Sequence, residues 1–343
     1  MNWDMLGHEW AVSLLKEHVA QKKLRHAYLI TGPAGVGKRT LAIRLSQAAI
    51  CTQPPAPGEP CGSCANCRRL AKMQHPDLNV IQPELAGGTL KVDQIRDLQH
   101  TLSLSPFEAA YRIALLLHFE NAHSSAANAL LKTLEEPGPQ VLLILTADSP
   151  ESLLPTVVSR CEVLRLTTVH LKTLVDGLQT QFGLDAEKAN LLAHLSGGRP
   201  GLALAYHQQP ELLEQRNTWL DEHLSLLSSN RVDRFAYAEA STKDPKEREI
   251  PRQMLRVWLS LWRDVMLDST GDSTPLVNYD RANAVHQIAS RLDREKARQA
   301  VMGIERTLGL LDTNVNTRLA FEVLLLDLPL IVGKLDKAAP PQN

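Results

Sequence analysis

The sequence predicts an α/β phosphate-loop core built on a parallel five-stranded sheet, followed by a small helical unit and a larger all-α domain. Three features predict it. Short apolar runs alternate with amphipathic helical patterns through residues 1–166, as expected of βαβ units whose helices cover both faces of a parallel sheet. A glycine-rich segment ending in lysine, Gly32-Pro-Ala-Gly-Val-Gly-Lys38, follows the first of these runs. From Thr168 onward the strand signals cease and apolar residues recur at helical spacing.

Taken in order, the candidate strands are Ala27–Thr31, Leu78–Ile81, Arg112–Leu117, Val141–Thr146 and Cys161–Arg165. Between them lie helical patterns such as Leu41/Leu45/Ala49 and Ile95/Leu98/Leu102. Residues 167–207 form the small helical unit, with Leu171, Leu174, Val175 and Leu178 on one stripe. Breaks at Ser196-Gly-Gly-Arg-Pro-Gly201 and Gln208-Gln-Pro210 separate it from the all-helical domain over residues 208–335. There Met254, Leu255, Trp258, Leu261, Trp262 and Val265 make a second stripe and Val323–Leu326 a third. Both read as core by default, with a subunit interface as the alternative. The runs Lys243–Glu249 and Arg291–Arg298 mix charge signs and read as solvated helix faces and turns. Residues 336–343 read as a frayed tail.

Composition excludes several function classes. Lys plus Arg number 37 against 38 Asp plus Glu, a net charge of −1, so no global basic field advertises nucleic acid or anionic membrane. Hydrophobic residues make up 44%, enough for a sizeable core, while aromatics at 4% favour leucine-rich helical packing over a β-sandwich. The sequence has neither a basic leader nor an apolar run long enough to span a bilayer, so a cytoplasmic location without membrane partners is expected.

The segment Gly32–Lys38 stands between a strand and a helix, where backbone N–H groups and the helix N-terminus face an anion. Gly32, Gly35 and Gly37 permit the tight backbone path, and Lys38 supplies a point charge. A turn that happens to spell this pattern is the alternative. The pattern departs from an ATPase loop at the next residue: Arg39 stands where a Ser or Thr would ligate Mg²⁺. Thr40 follows, but one residue along a helix rotates its hydroxyl by about 100°. ATP or ADP occupancy is left open, with Gly32, Gly35, Gly37, Lys38 and Thr40 as the candidate nucleotide contacts.

An ATPase also needs an apolar strand ending in Asp-Glu, to hold the metal shell and polarise water. Here Ile113–Leu117 runs into His118-Phe119-Glu120-Asn121, whose single acid is Glu120. With metal and water ligands both missing, hydrolysis at this chain's own site is not expected. A solvated loop carboxylate is the alternative for Glu120.

Four of the five cysteines fall in Cys51-x₉-Cys61-x₂-Cys64-x₂-Cys67. A reducing compartment disfavours disulfides, and the spacings can wrap a tetrahedral Zn²⁺. Prolines and glycines from Pro54 to Gly62 make the segment irregular, so metal ligation would replace absent hydrophobic contacts. Four protein ligands leave no open position, which makes the expected zinc structural. A redox Cys-x-x-Cys is the rival reading. Cys161 reads as a small buried hydrophobe in a strand, and His75 as a turn residue in His75-Pro76-Asp77 in preference to a ligand.

The ordered set of phosphate loop, four-cysteine insert, Ala126-Ala-Asn-Ala-Leu-Leu-Lys-Thr-Leu-Glu-Glu-Pro137 and Ser159-Arg160-Cys161 resembles the bacterial DNA polymerase III clamp-loader subunits. The resemblance covers residues 1–205 with specific motifs and the remainder by helical pattern. It implies an AAA+ core, a three-helix lid and a helical collar, in a subunit of an open five-membered ring that places a sliding clamp on primed DNA. It also implies that Arg160 is an arginine finger reaching a neighbour's γ-phosphate in trans, and that Thr146 holds a polar sensor position. A surface arginine in a loop is the alternative for Arg160. The motor type, gamma/tau, carries the loop hydroxyl, the Asp-Glu pair and a lid arginine. This chain has Arg39, no such pair, and Pro200 at the lid position with Arg199 one residue off.

The pattern is therefore similar to the delta-prime type, a stationary ring member within a DNA polymerase holoenzyme. Its implied partners are gamma/tau, delta, the sliding clamp and primer–template DNA. Two other functions stay open on the sequence: an active gamma/tau-type ATPase, and a zinc-dependent DNA-binding module with a vestigial phosphate loop.

Overall fold

The structure, a computed structural model, describes residues 3–84, 88–243, 249–311, 313, 315–331, 333 and 335. It separates into two compact units, Met1–Gly177 with Gly198–Leu202, and Leu178–Gly197 with Ala203–Asn343. In chain order the core elements are α1 (Glu9–Ala20), β1 (Ala27–Thr31), α2 (Lys38–Ile50), α3 (Ala65–Ala71), β2 (Leu78–Ile81), α4 (Val92–Leu102), β3 (Arg112–Leu116), α5 (Ser124–Glu135), β4 (Val141–Ala147), α6 (Pro155–Val158) and β5 (Glu162–Arg165). Then come α7 (Leu171–Phe182), α8 (Ala186–Leu195) and α9 (Pro200–Gln208). The chain continues through α10 (Pro210–Leu227), α11 (Arg231–Ser241), α12 (Glu249–Asp268), α13 (Ala282–Arg291), α14 (Arg294–Leu311) and α15 (Thr317–Asp327).

The strands pair in the order β2-β3-β4-β1-β5, all parallel. Each of the five lies where the sequence places it, with shifts of one residue at the ends. These shifts follow the ladder: Leu116 is the last β3 residue paired with β4, Ala147 still pairs with Thr31, and β5 pairing starts at Glu162 rather than Cys161. Side chains alternate between two apolar faces, as strand geometry requires. Tyr28, Ile30, Ile113, Leu115, Leu142 and Ile144 pack with Leu15, Leu41 and Leu45. Ala27, Leu29, Ala114, Leu116, Leu143 and Leu145 pack with Ile95, Leu98, Leu102, Leu130 and Leu134 on the other side. Each large aliphatic side chain so buried stabilises the core by about 1.5–3 kcal/mol. Because the strands are parallel, β1, β3 and β4 deliver the loops after Thr31, Leu116 and Ala147 to one edge of the sheet, the carboxyl edge where open α/β sheets bind ligands.

The second unit packs around Trp258 and Trp262, with Met254, Leu255, Leu261 and Val265 from the same stripe of α12. The sequence reading of this stripe as core holds. The third stripe divides: Leu324 and Leu325 are buried, whereas Val323 and Leu326 are exposed, because α15 turns only one side toward the core. Buried Arg234 donates hydrogen bonds to the carbonyls of Leu226, Leu227, Leu325, Leu328 and Pro329. One guanidinium thus satisfies carbonyls at the C-terminal ends of both α10 and α15, where helix dipoles favour a cation. Arg291–Arg298 is exposed except at the partly covered Leu292 and at Ala297, as the mixed charge predicts. Most of the run Lys243–Glu249 and the tail 336–343 lie outside the described residues. Among the described residues no helix is long and apolar enough to cross a membrane.

Candidate functional site

Two sites lie at opposite ends of α2. At its N-terminus the chain leaves β1 through Gly32 (φ 145°), Gly35 (φ 85°) and Gly37 (φ 108°), all in the left-handed range that side chains oppose. At Gly32 the requirement is also steric: a Cβ there would come within 2.3 Å of the Leu166 carbonyl. The Gly32 N–H is shared between the Ala147 and Asp148 carbonyls at 3.2 and 3.1 Å, fixing the loop to the end of β4. Gly201 N–H donates to the Gly35 carbonyl at 2.7 Å, so the first turn of α9 lies directly on the loop.

Lys38 is buried, and its ammonium donates to the Gly32 carbonyl and to Asp148 Oδ1, the latter at 2.9 Å. Arg39 and Thr40 are both exposed. Arg39 donates to Met73 Sδ at 3.1 Å, so neither the arginine nor the displaced hydroxyl stands in for the missing metal ligand through any described contact.

On the neighbouring strands, Thr146 is buried and its Oγ1 accepts the His118 N–H at 3.1 Å. His118 has φ 54°, an uncommon conformation for a non-glycine residue. Its Nδ1 lies 3.3 Å from Glu120 Oε1, and this hydrogen bond raises the imidazole's pKa against the opposing effect of burial. Leu117, directly after β3, is buried and apolar. The geometry leaves this edge of the sheet with a bound lysine, a hydroxyl and a His–Glu pair, and without the paired carboxylates of a metal-dependent phosphoryl-transfer site.

Arg160 lies between α6 and β5. Its guanidinium donates to the Thr156 carbonyl at 2.9 Å and pairs with Glu135 Oε1 at 2.6 Å. The side chain is 35% exposed, so the charge is held in a defined place yet reachable from solvent. The next residue, Cys161, is half-buried outside the strand, and burial pushes its thiol up to about 12.

At the C-terminus of α2 the four cysteines converge. The sulfurs of Cys51, Cys61, Cys64 and Cys67 all lie within 4.8 Å of one another. A tetrahedral thiolate site with metal–sulfur bonds of about 2.3 Å separates its sulfurs by about 3.8 Å, and Cys61 Sγ stands 3.9 Å from Cys67 Sγ. Backbone N–H groups of Cys61, Cys64 and Cys67 point at the sulfurs of Cys51, Cys61 and Cys64, at 3.2–3.4 Å. Such donors stabilise thiolates, the form that binds metal. Burial raises the Cys64 thiol, but the Cys67 and Thr52 hydrogen bonds outweigh it and bring it down to about 6. Burial pushes Cys67 the other way.

The segment is otherwise tied by polar contacts. Gln47 donates to the Cys67 carbonyl at 2.7 Å, Asn66 to the Ile50 carbonyl at 3.0 Å and Trp3 to the Gly58 carbonyl at 3.2 Å. His75 is buried outside the cluster, its Nδ1 accepting the Asp77 N–H, as its turn assignment predicts.

Sequence reasoning missed Asp148, His118 and Glu135. Each is placed by tertiary structure: Asp148 is 110 residues from Lys38, and Glu135 and Arg160 meet only when α5 and α6 pack. The one local signal was for Asp148, an acid two residues beyond the predicted sensor Thr146.

Residues 7–170 match the family described as DNA polymerase III, delta subunit, and residues 210–329 the family described as DNA polymerase III, delta subunit, C terminal. DNA polymerase III subunit delta' of Bacillus subtilis is 29% identical over 319 residues, covering 92% of this chain and 94% of its own. The delta' subunit of Pseudomonas aeruginosa is 31% identical over 324 residues, covering 92% and 95%. The tau subunit of Bacillus subtilis is 34% identical over 159 residues, 46% of this chain and 28% of tau. The delta' matches span both the sheet-containing core and the helical region, whereas the tau match covers less than half of the chain. With that coverage and identity, the chain belongs to the DNA polymerase III delta' subunit family.

Proposed function

We propose that this chain is a non-hydrolysing ring subunit of the clamp loader, which helps place the sliding clamp on primed DNA and lends Arg160 to the ATP held by a neighbouring subunit. The observation that carries the reading is the absence of a metal shell around a retained phosphate loop: Arg39 follows Lys38, Leu117 and His118 follow β3, and no described contact replaces the lost ligands. A site that holds phosphate without metal does not stabilise the charge of a transferring phosphoryl group. ATP or ADP then has at most a structural place at Gly32, Gly35, Gly37, Lys38 and Thr40. Arg160, partly exposed and held by Glu135, has the planar cation that such a transition state needs in trans.

In the same reading, residues 1–166 are the AAA+ core, 167–207 the lid and 208–335 the collar. Gamma/tau and delta are the partner subunits, with clamp and primer–template DNA bound by the assembly in the cytoplasm. A zinc ion on Cys51, Cys61, Cys64 and Cys67 crosslinks the insert when bound. The chain's own part is to present four sulfurs, three of which accept backbone N–H groups that favour the thiolate form. The near-neutral charge supports shared rather than autonomous DNA contact.

The test is DNA-stimulated ATP turnover by a complex reconstituted with the Arg160→Ala chain. Trans-acting arginines contribute factors of about 10³–10⁵ at a single site, so a loss of at least about tenfold is expected for the ring, with assembly intact on gel filtration. Unchanged turnover overturns the assignment.

A further inference from the structure

The ammonium of Lys38 already has an anion. Asp148 Oδ1 lies 2.9 Å from Nζ, and the lysine side chain is only 8% exposed. We propose that Asp148 is the resident anion of the phosphate loop and sets its ligand specificity, holding Lys38 so that nucleoside di- and triphosphates bind weakly. The inference rests on the reading that this loop is not a working ATPase site.

Three features support the assignment. First, Asp148 is anchored through its own backbone: its carbonyl accepts the Gly32 N–H at 3.1 Å, and Leu145 and Ala147 before it are paired with β1. The carboxylate is therefore delivered to Lys38 with little conformational entropy left to lose, which gives it a high effective concentration against any ligand in solution. Second, it opposes a phosphate twice. A phosphate must displace it from Nζ, and the displaced carboxylate, fixed to the loop by its backbone, remains close enough to repel the incoming charge. Third, the usual metal counter-charge of an ATPase loop is not provided for here. A divalent cation would offset that repulsion, but its ligands are gone: Arg39 and Thr40 are exposed on α2, and Leu117 is apolar and buried. The His118 imidazole, within electrostatic reach of Lys38 and Asp148, is hydrogen bonded to Glu120. Asp148 is 46% exposed, so its replacement does not leave a buried hole.

The experiment is calorimetric titration of the full chain with ADP and ATP, in EDTA and in Mg²⁺, for the wild type, Asp148→Asn, Asp148→Ser and the double variant Asp148→Asn/Lys38→Ala. Removing a charge in contact with the ligand's own cation is expected to tighten ADP binding about tenfold or more in both single variants. The double variant is expected to lose that gain, because the gain acts through Lys38. Circular dichroism and bound metal are read on every variant to establish that each is folded. Folded Asp148→Asn and Asp148→Ser chains with wild-type affinity overturn this inference and leave the functional reading standing. Tight Mg²⁺-dependent ATP binding with turnover by the wild type overturns the functional reading instead.

Discussion

Helix α2 carries a phosphate loop at its N-terminus and a cysteine cluster at its C-terminus, and the two ends are complete to different degrees. The loop keeps its backbone: three glycines at positive φ, the buried lysine, the helix N-terminus. It has lost the side chains that give a metal its shell. The cluster spans an irregular loop between the end of α2 and the start of α3, yet all four sulfurs converge within 4.8 Å, with N–H donors aimed at three of them. A fold can thus preserve a ligand-binding shape for packing reasons alone. Gly32 is forced by the Leu166 carbonyl, and Gly35 accepts the Gly201 N–H and lies against Leu202, whatever the loop binds. Among the four sulfurs, that of Cys64 also caps α3, and Gln47, Asn66 and Trp3 tie the rest of the segment in place.

That contrast is broken most forcefully at the cysteines. Cys67→Ser removes a fully buried ligand from a segment with few apolar contacts of its own. Structural zinc sites contribute about 10–16 kcal/mol of apparent binding free energy, so the variant is expected to lose its equivalent of zinc and most amide protection over residues 51–67. Elemental analysis and hydrogen exchange check this. A variant with undiminished protection would show that the polar ties through Gln47, Asn66 and Trp3 suffice without metal.

A smaller effect sharpens the other end. The Glu120 hydrogen bond raises the His118 pKa above its ordinary value. A raised folded-state pKa contributes stability that is full below the unfolded value near 6.5 and is lost as pH rises through the folded value. Glu120→Gln is expected to move the His118 titration, followed by NMR, back down, and to flatten the stability profile between pH 6.5 and the folded-state value. Because His118 is more than half exposed, solvent screening keeps the change in stability small. An unmoved titration would mean that Glu120 does not hold the imidazole.

Much of this architecture was legible from residues alone, for reasons of locality. The five strands are short apolar runs whose alternation with helical patterns is visible in sequence, and the Cys51–Cys67 spacings by themselves fit a metal site. The α12 stripe through Trp258 and Trp262 has a helical period, so its burial followed. Asp148 was not legible, because its meeting with Lys38 depends on β4 lying beside β1, a fact of strand order rather than of either strand's sequence. The same holds for Glu135 beside Arg160 and for Arg234 closing two helix ends. Val323 and Leu326 misled in the other direction: four consecutive apolar residues cannot all face one side of a helix, and these two are exposed.

The proposed role requires a phosphate loop that does not turn over ATP. Steady-state ATP hydrolysis by the purified full chain, with Mg²⁺ and primed DNA present, tests that most directly. Turnover indistinguishable from the buffer background is the predicted result. Sustained turnover that disappears in Lys38→Ala would contradict it and identify an active motor subunit.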